Sequence, residues 1–114
     1  MPTKLSSLLG LARRAGKITA GSNQIEAALS STRPRAIVLV ADDATSPTAQ
    51  KLIKRCLSRR IEVYAVPFTM EEMGSAIGKH QVGYVMIKDR DFCQGIRQAL
   101  EEMEVRPYEQ HKNL

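Results

Sequence analysis

An unbroken apolar run near the middle of the chain restricts its fold more than any other feature. The run Ala36–Ala41 lies between Pro34 and the acidic pair Asp42–Asp43 and is rich in β-branched residues. It is too short for a typical helix, so it predicts a strand that is buried on both faces. A strand of this kind is typical of a sheet that has helices on each side.

The remainder of the chain alternates between helical and strand patterns. Apolar residues recur at helical spacing in segments that span 3–15 and 23–31 or that begin at Ser46–Pro47, at Thr69 and at Asp89 or Asp91. Short β-prone segments lie between them, at 17–20, 61–66 and 84–87. We therefore expect one sheet with helices on both faces, followed by a polar tail from Val105 that frays.

Several of the helix starts carry capping signals. Ser46 precedes a proline at the first helical position, and Thr69 is followed three residues later by Glu72. At the second helix either Ser22 or Asn23 is a suitable cap, and Asn23 and Glu26 have capping-box spacing. The segment 33–35, Arg-Pro-Arg, is expected to end that helix.

The charge balance is basic. Of the 114 residues, 17 are Lys or Arg and 12 are Asp or Glu, which gives a net charge of +5. An excess of this size favours a polyanionic partner, because Lys and Arg side chains that bind a polyanion release its condensed counterions. Basic surfaces can also serve solubility alone. Lys51, Lys54, Arg55 and Arg59 form a stripe on the third helix that is typical of a solvated face and that widens the electrostatic footprint.

Targeting and cysteine patterns indicate a cytoplasmic protein. Cys56 and Cys93 fall on the apolar faces of predicted helices and are expected to be buried free thiols. No signal peptide and no apolar run long enough to span a bilayer are visible, so no membrane association is expected. A second apolar helix face is also not evident, which favours a monomer.

The start of the second helix is the strongest candidate for a binding site. Gly21 allows close approach of a backbone, and first-turn N–H groups attract anions. Ser22, Asn23 and Gln24 follow, and amide side chains read base edges. Without further information a strand-to-helix turn with a cap explains the same residues. Three cations lie just upstream, Arg13, Arg14 and Lys17.

Three segments together resemble a known family. They are 8–17 (Leu-Leu-Gly-Leu-Ala-Arg-Arg-Ala-Gly-Lys), 21–24 (Gly-Ser-Asn-Gln) and the strand that ends in 41–44 (Ala-Asp-Asp-Ala). The chain resembles the kink-turn RNA-binding ribosomal superfamily of L-seven-Ae and L-thirty-e type, and most closely its bacterial YlxQ-like branch. The stretch 74–78, Gly-Ser-Ala-Ile-Gly, matches a further family pattern. The resemblance implies a three-layer α/β/α sandwich around a four-stranded mixed sheet, as one domain over 1–104, with a polar tail over 105–114.

The resemblance also implies roles for individual residues. Family members that bind RNA open the second helix with Gly-x-Asn-Glu-x-x-Lys, which meets sheared G·A pairs, and a nearby loop holds an extruded nucleotide. Here Gln24 replaces the Glu and Ala27 replaces the Lys. The resemblance implies that the loop after Gly78 places Lys79, His80 and Gln81 near the RNA, where Lys79 or Lys17 would partly replace the missing charge. The expected RNA contacts are Lys17, Gly21, Ser22, Asn23, Gln24, Asp43, Lys79 and Gln81.

The leading hypothesis is a non-catalytic protein that binds structured, kink-turn-like RNA in a ribosomal or ribonucleoprotein context. Ribosomal or RNA-processing proteins are expected as further partners. Because Gln24 and Ala27 depart from the family pattern, a protein-interaction module without kink-turn recognition is an alternative. An accessory subunit of an RNA-modifying enzyme is a third possibility.

Catalytic and cofactor sites find little support in the sequence. Neither His80 nor His111 has a partner at metal-ligand spacing, so neither a metal nor a cofactor is expected. The glycines match no nucleotide-binding pattern. Asp42 and Asp43 follow a buried strand as in phospho-accepting receiver domains, but the next strand, which ends at Val66, offers no acceptor Asp. Turning and capping of the loop explain the pair more simply, with a minor polar contact to RNA from Asp43.

Overall fold

The computed structural model describes residues 3–31 and 35–109. Five helices and four strands follow one another over these residues, in the order α1 (Lys4–Arg14), β1 (Ile18–Ala20), α2 (Ser22–Leu29), β2 (Ile37–Ala41), α3 (Pro47–Ser58), β3 (Glu62–Val66), α4 (Met70–Ala76), β4 (Tyr84–Ile87) and α5 (Arg90–Glu102). Each predicted element is present. The predicted break at 33–35 lies mostly outside the described residues.

The four strands form one mixed sheet in the order β1-β4-β2-β3. β2 and β3 are parallel, whereas β4 is antiparallel to both β1 and β2. β1, β2 and β3 therefore run in the same direction, and their carboxyl ends lie at one edge of the sheet. We call this the carboxyl edge, and we call the opposite edge, where the same strands begin, the amino edge.

The sheet lies between two helical layers, which confirms the predicted α/β/α sandwich. α2 and α3 pack together on one side, and α1 packs against α4 and α5 on the other. All five residues of β2 are buried, as the apolar run predicts. The core is almost entirely aliphatic and contains the free thiols of Cys56 and Cys93. None of the described helices is both long and apolar enough to cross a bilayer.

Side chains cap four of the five described helices, including the predicted caps Ser46 and Thr69. Thr3, Ser46, Thr69 and Asp89 accept hydrogen bonds from first-turn N–H groups of α1, α3, α4 and α5. At α2 the predicted capping box is wrong, because Ser22 already belongs to the helix and Gly21 is the cap residue. Glu26 instead pairs with Arg55 of α3, at 3.2 Å between Oε1 and Nε.

The chain after α5 follows the outer strand rather than fraying at once. Val105 donates its N–H to the carbonyl of Leu100, and Tyr108 donates its N–H to the carbonyl of Val63 in β3. This second bond pairs with the free side of an edge strand, which offers unused backbone groups. Fraying is therefore wrong for this stretch, while residues 110–114 of the predicted tail lie outside the described residues.

Candidate nucleic-acid interface

Four chain segments meet at the carboxyl edge and are joined by backbone hydrogen bonds. Gly21 donates to the carbonyl of Tyr84 at 3.0 Å, and Ala41 donates to that of Gly83 at 2.9 Å. Asp42 donates to the carbonyl of Phe68 at 2.8 Å, so the segments that follow β1, β2 and β3 and precede β4 are all fixed. Ligands of open α/β sheets commonly bind at such an edge.

The start of α2 projects from this edge into solvent. Gly21 has φ +92°, in a region that L side chains rarely adopt, and this turn redirects the chain from β1 into the helix. Asn23 and Gln24 are exposed, and Ser22 is partly buried. The amides therefore face outward on a backbone that is held in place beneath them.

The first turn of α2 differs from the other helix starts in the described chain. No side chain caps it, whereas the starts of α3 and α4 at the same edge are capped by Ser46 and Thr69. Uncapped N–H groups need an acceptor from water or a ligand, and the positive end of the helix dipole favours an anion.

A groove beside the start of α2 carries cations from α3. It has a volume of about 360 Å³ and is lined by Ser22, Asn23, Glu26, Thr48, Lys51 and Arg55. Arg55 is paired with Glu26, but Lys51 has no carboxylate partner among the described residues. These two cations are four residues apart in the basic stripe that the sequence predicts on α3. The sequence does not reveal that they face Asn23 rather than only solvent.

The loop between α4 and β4 forms the far side of the carboxyl edge. Lys79, His80 and Gln81 are exposed, while Val82 is buried and donates its N–H to the carbonyl of Met70. The loop folds back closely on α4, since a Cβ on Gly74 would lie 2.7 Å from the carbonyl oxygen of His80.

The guanidinium of Arg13 lies against this loop. Its Nη1 atom is 3.1 Å from the position of a Cβ on Gly78. Arg13, one of the three cations upstream of Gly21, therefore reaches the loop from α1.

Asp43 has a structural role at the carboxyl edge. Its Oδ1 atom accepts a hydrogen bond of 2.8 Å from the N–H of Met70 at the start of α4. The structure thus supports the capping interpretation of this residue, although its side chain is exposed. Asp42, Glu71 and Glu72 are also exposed on this side, which makes the α4 part of the edge acidic.

Lys17 is not near the other predicted contacts. It precedes β1 and therefore lies at the amino edge, where its Nζ atom is 3.8 Å from Oδ1 of Asp89. The remaining seven predicted contacts, Gly21, Ser22, Asn23, Gln24, Asp43, Lys79 and Gln81, lie in the segments at the carboxyl edge. Within residues 3–31 and 35–109, no cluster of His, Cys, Asp and Glu could hold a metal ion.

Solved structures with the same architecture define the class of protein as a small α/β/α sandwich domain. A Giardia lamblia 15.5kD RNA binding protein matches 89% of this chain and 85% of its own with a TM-score of 0.68. At 17% identity this shows a shared fold only. A protein of unknown function from Bacillus halodurans C has a TM-score of 0.80 and 32% identity, over 88% of this chain and 99% of that one.

Sequence comparison places the chain within a family. The Ribosomal protein L7Ae/L30e/S12e/Gadd45 family matches residues 3–106. RNA-binding protein YlxQ of Bacillus subtilis (strain 168) is 33% identical over 90 residues, which cover 75% of this chain and 84% of that protein. The chain belongs to this family, in its YlxQ-like branch, and the resemblance drawn from the sequence is confirmed.

Proposed function

We propose that this protein binds structured RNA of the kink-turn type through the first turn of α2. It acts as a monomeric, non-catalytic component of a ribosomal or ribonucleoprotein assembly in the cytoplasm. The YlxQ relative is named as an RNA-binding protein, and the family description includes ribosomal proteins, which supports this choice of ligand.

The uncapped start of α2 is the observation that carries the proposal. Its first-turn N–H groups have no side-chain acceptor, and the exposed amides of Asn23 and Gln24 stand directly beside them. A base edge offers acceptors and donors that match an amide, and a phosphate or a base oxygen satisfies free N–H groups. In this proposal the loop 78–82, which precedes β4 at the same edge, holds an extruded nucleotide.

The family pattern expects a lysine at position 27, and cations of α3 provide positive charge near that position instead. Ala27 lies one helical turn after Asn23 and is exposed. Lys51 and Arg55 line the groove next to Asn23, so positive charge is present although it comes from another helix. In this proposal Lys51 positions a phosphate, and Arg55 is held by Glu26 as a secondary contact.

The departures at Gln24 and Ala27 also support a second candidate function. A neutral amide accepts weaker hydrogen bonds than a carboxylate, so Gln24 binds a guanine amino group less strongly than Glu would. The second candidate is a protein-interaction module that keeps the fold and does not recognise kink-turns.

Fluorescence anisotropy with two RNA hairpins tests the proposal. One contains a kink-turn, and the other has its sheared G·A pairs changed to Watson–Crick pairs. We expect the protein to prefer the first by at least about tenfold, and Asn23→Ala to remove most of this preference, because lost bidentate contacts cost about 1–3 kcal/mol. Asn23 is not the helix cap, so the variant should unfold at the same temperature as the parent protein.

The control is Gln98→Ala, which removes an exposed amide from α5 on the other helical layer. It should bind both hairpins as the parent protein does. Equal affinity of the parent protein for the two hairpins contradicts the proposal. If the double variant Gln24→Glu, Ala27→Lys then gains the preference, the interaction module is favoured instead.

A further inference from the structure

The amino edge carries a second group of cations, separate from the α2 site. Strand register places Ile18, Ile87, Ile37 and Glu62 in one row across the sheet. Just beyond this row, an exposed cation flanks each of the four strands. These cations are Lys17, Lys88, Arg35 and Arg60. Four strands span about 14 Å, so these four residues flank one end of the sheet within a short distance, and we call them the basic border.

Few carboxylates offset this border. Glu62 is occupied, since its Oε1 atom accepts from Nε of Arg97 at 3.0 Å and from the hydroxyl of Tyr64 at 2.9 Å. Asp89 accepts from the N–H of Phe92 as the cap of α5 and lies near Lys17. The exposed carboxylates that remain near this edge are Asp91, in the first turn of α5, and Glu109, which follows Tyr108 beside the start of β3.

Three of these cations, Arg35, Arg60 and Lys88, have no ion pair in the part of the chain that the structure describes. The same is true of Arg90, the first residue of α5. Two of them, Arg35 and Arg90, line the same cavity of about 320 Å³, together with Cys93, Gln94 and Arg97. Convergence of guanidinium groups that lack carboxylate partners is a geometry suited to phosphate oxygens, which Arg contacts with two parallel hydrogen bonds.

We infer that the amino edge is a second RNA-binding surface, which contacts the phosphate backbone of a duplex. Contacts between these cations and phosphates carry no sequence information, so the surface adds affinity and no sequence preference. β2 spans five residues, so the two edges are about 16 Å apart. Binding at the amino edge does not require kink-turn recognition and involves a separate stretch of RNA.

A blunt RNA duplex of 20 base pairs, without a kink, bulge or loop, is the probe for this surface. Its affinity is measured by anisotropy at 50, 100 and 200 mM KCl for the parent protein and for Arg35→Gln, Arg90→Gln. Loss of about two phosphate contacts should weaken binding about tenfold at 100 mM and reduce the slope of log K against log salt by about 2. Two duplexes of unrelated sequence should bind equally.

The matched control is Lys54→Gln, Arg106→Gln, which removes the same charge from exposed, unpaired positions in α3 and in the segment that follows α5. It should leave duplex affinity within about twofold of the parent value, because charges away from the amino edge contribute little to duplex binding there. The kink-turn hairpin with minimal stems should bind the Arg35, Arg90 variant normally, while Asn23→Ala should leave duplex binding unchanged.

Two results overturn the inference. One is equal loss of duplex affinity in the Arg35, Arg90 variant and in its control, and the other is no duplex binding by the parent protein at 50 mM salt. The second result leaves an acidic protein as the partner of this edge. Failure of the kink-turn hairpins to bind contradicts the proposed function alone, because the duplex measurements do not depend on it.

Discussion

The two edges of the sheet differ in how they could hold RNA, although the same strands build both. At the carboxyl edge the exposed amides of Asn23 and Gln24 surround an uncapped helix start, and carboxylates cover the α4 side. At the amino edge Arg35, Lys88 and Arg90 are exposed without ion pairs among the described residues. The unpaired arginines Arg35 and Arg90 and the amides of α2 therefore lie at opposite ends of the strands, so overall charge does not locate the specific site.

The largest expected effect comes from the packing of the loop between α4 and β4, which lies at the carboxyl edge and not at the amino edge. Gly74→Ala places a Cβ 2.7 Å from the carbonyl oxygen of His80, and backbone at that distance must move. We expect a loss of about 1–3 kcal/mol in the free energy of unfolding, together with at least about tenfold weaker binding of the kink-turn hairpin. Urea denaturation and anisotropy measure the two effects.

Gly95→Ala is the control for this substitution. Gly95 also lies in a helix, but its added Cβ would meet only Leu8 side-chain atoms, at 3.6 Å, which is an ordinary contact. We expect a gain of about 0.5–1 kcal/mol from helix propensity. Duplex binding at the amino edge should survive Gly74→Ala, and a parallel loss of both binding modes would contradict the separation of the edges.

A smaller effect concerns the core that both edges share. Burial, and to a lesser extent the charge of Glu26, raises the pKa of Cys56 from 9.0 to about 11. The unfolded chain loses this proton at lower pH than the folded one, so the free energy of unfolding should fall between about pH 9 and 11. By pH 10 the decline attributable to Cys56 should be about 1 kcal/mol.

Denaturation by urea across this pH range measures the decline. Tyr64 adds to it at higher pH, because burial and its hydrogen bond to Glu62 raise its pKa from 10.0 to about 12. Burial also raises the pKa of Cys93, so Cys56→Ala should reduce the slope between pH 9 and 10, before Tyr64 titrates in the unfolded chain. Cys56→Ala, Cys93→Ala should flatten it, and a slope in Cys56→Ala equal to that of the parent protein would show that Cys56 does not contribute.

The sequence predicted the fold better than the site, for reasons visible in particular residues. The apolar run of β2 and the capping box of Thr69 and Glu72 are local patterns, and both appear as expected. The cap of α2 was predicted wrongly because Glu26 has a stronger partner, Arg55, from a distant part of the chain. Lys17 is close to Gly21 along the chain, yet the two residues lie at opposite edges because the whole of β1 separates them.

The smallest expected effect tests whether α3 contributes to the carboxyl edge. Lys51→Gln removes an unpaired cation from the groove that Asn23 lines. Loss of one phosphate contact should weaken kink-turn binding about three- to fivefold at 100 mM salt and lower the salt slope by about 1. Lys54→Gln, three residues further along the same helix and outside the groove lining, should change neither quantity. If both variants lose affinity equally, Lys51 acts through general charge, and the amides of α2 bind RNA without a cation placed beside them.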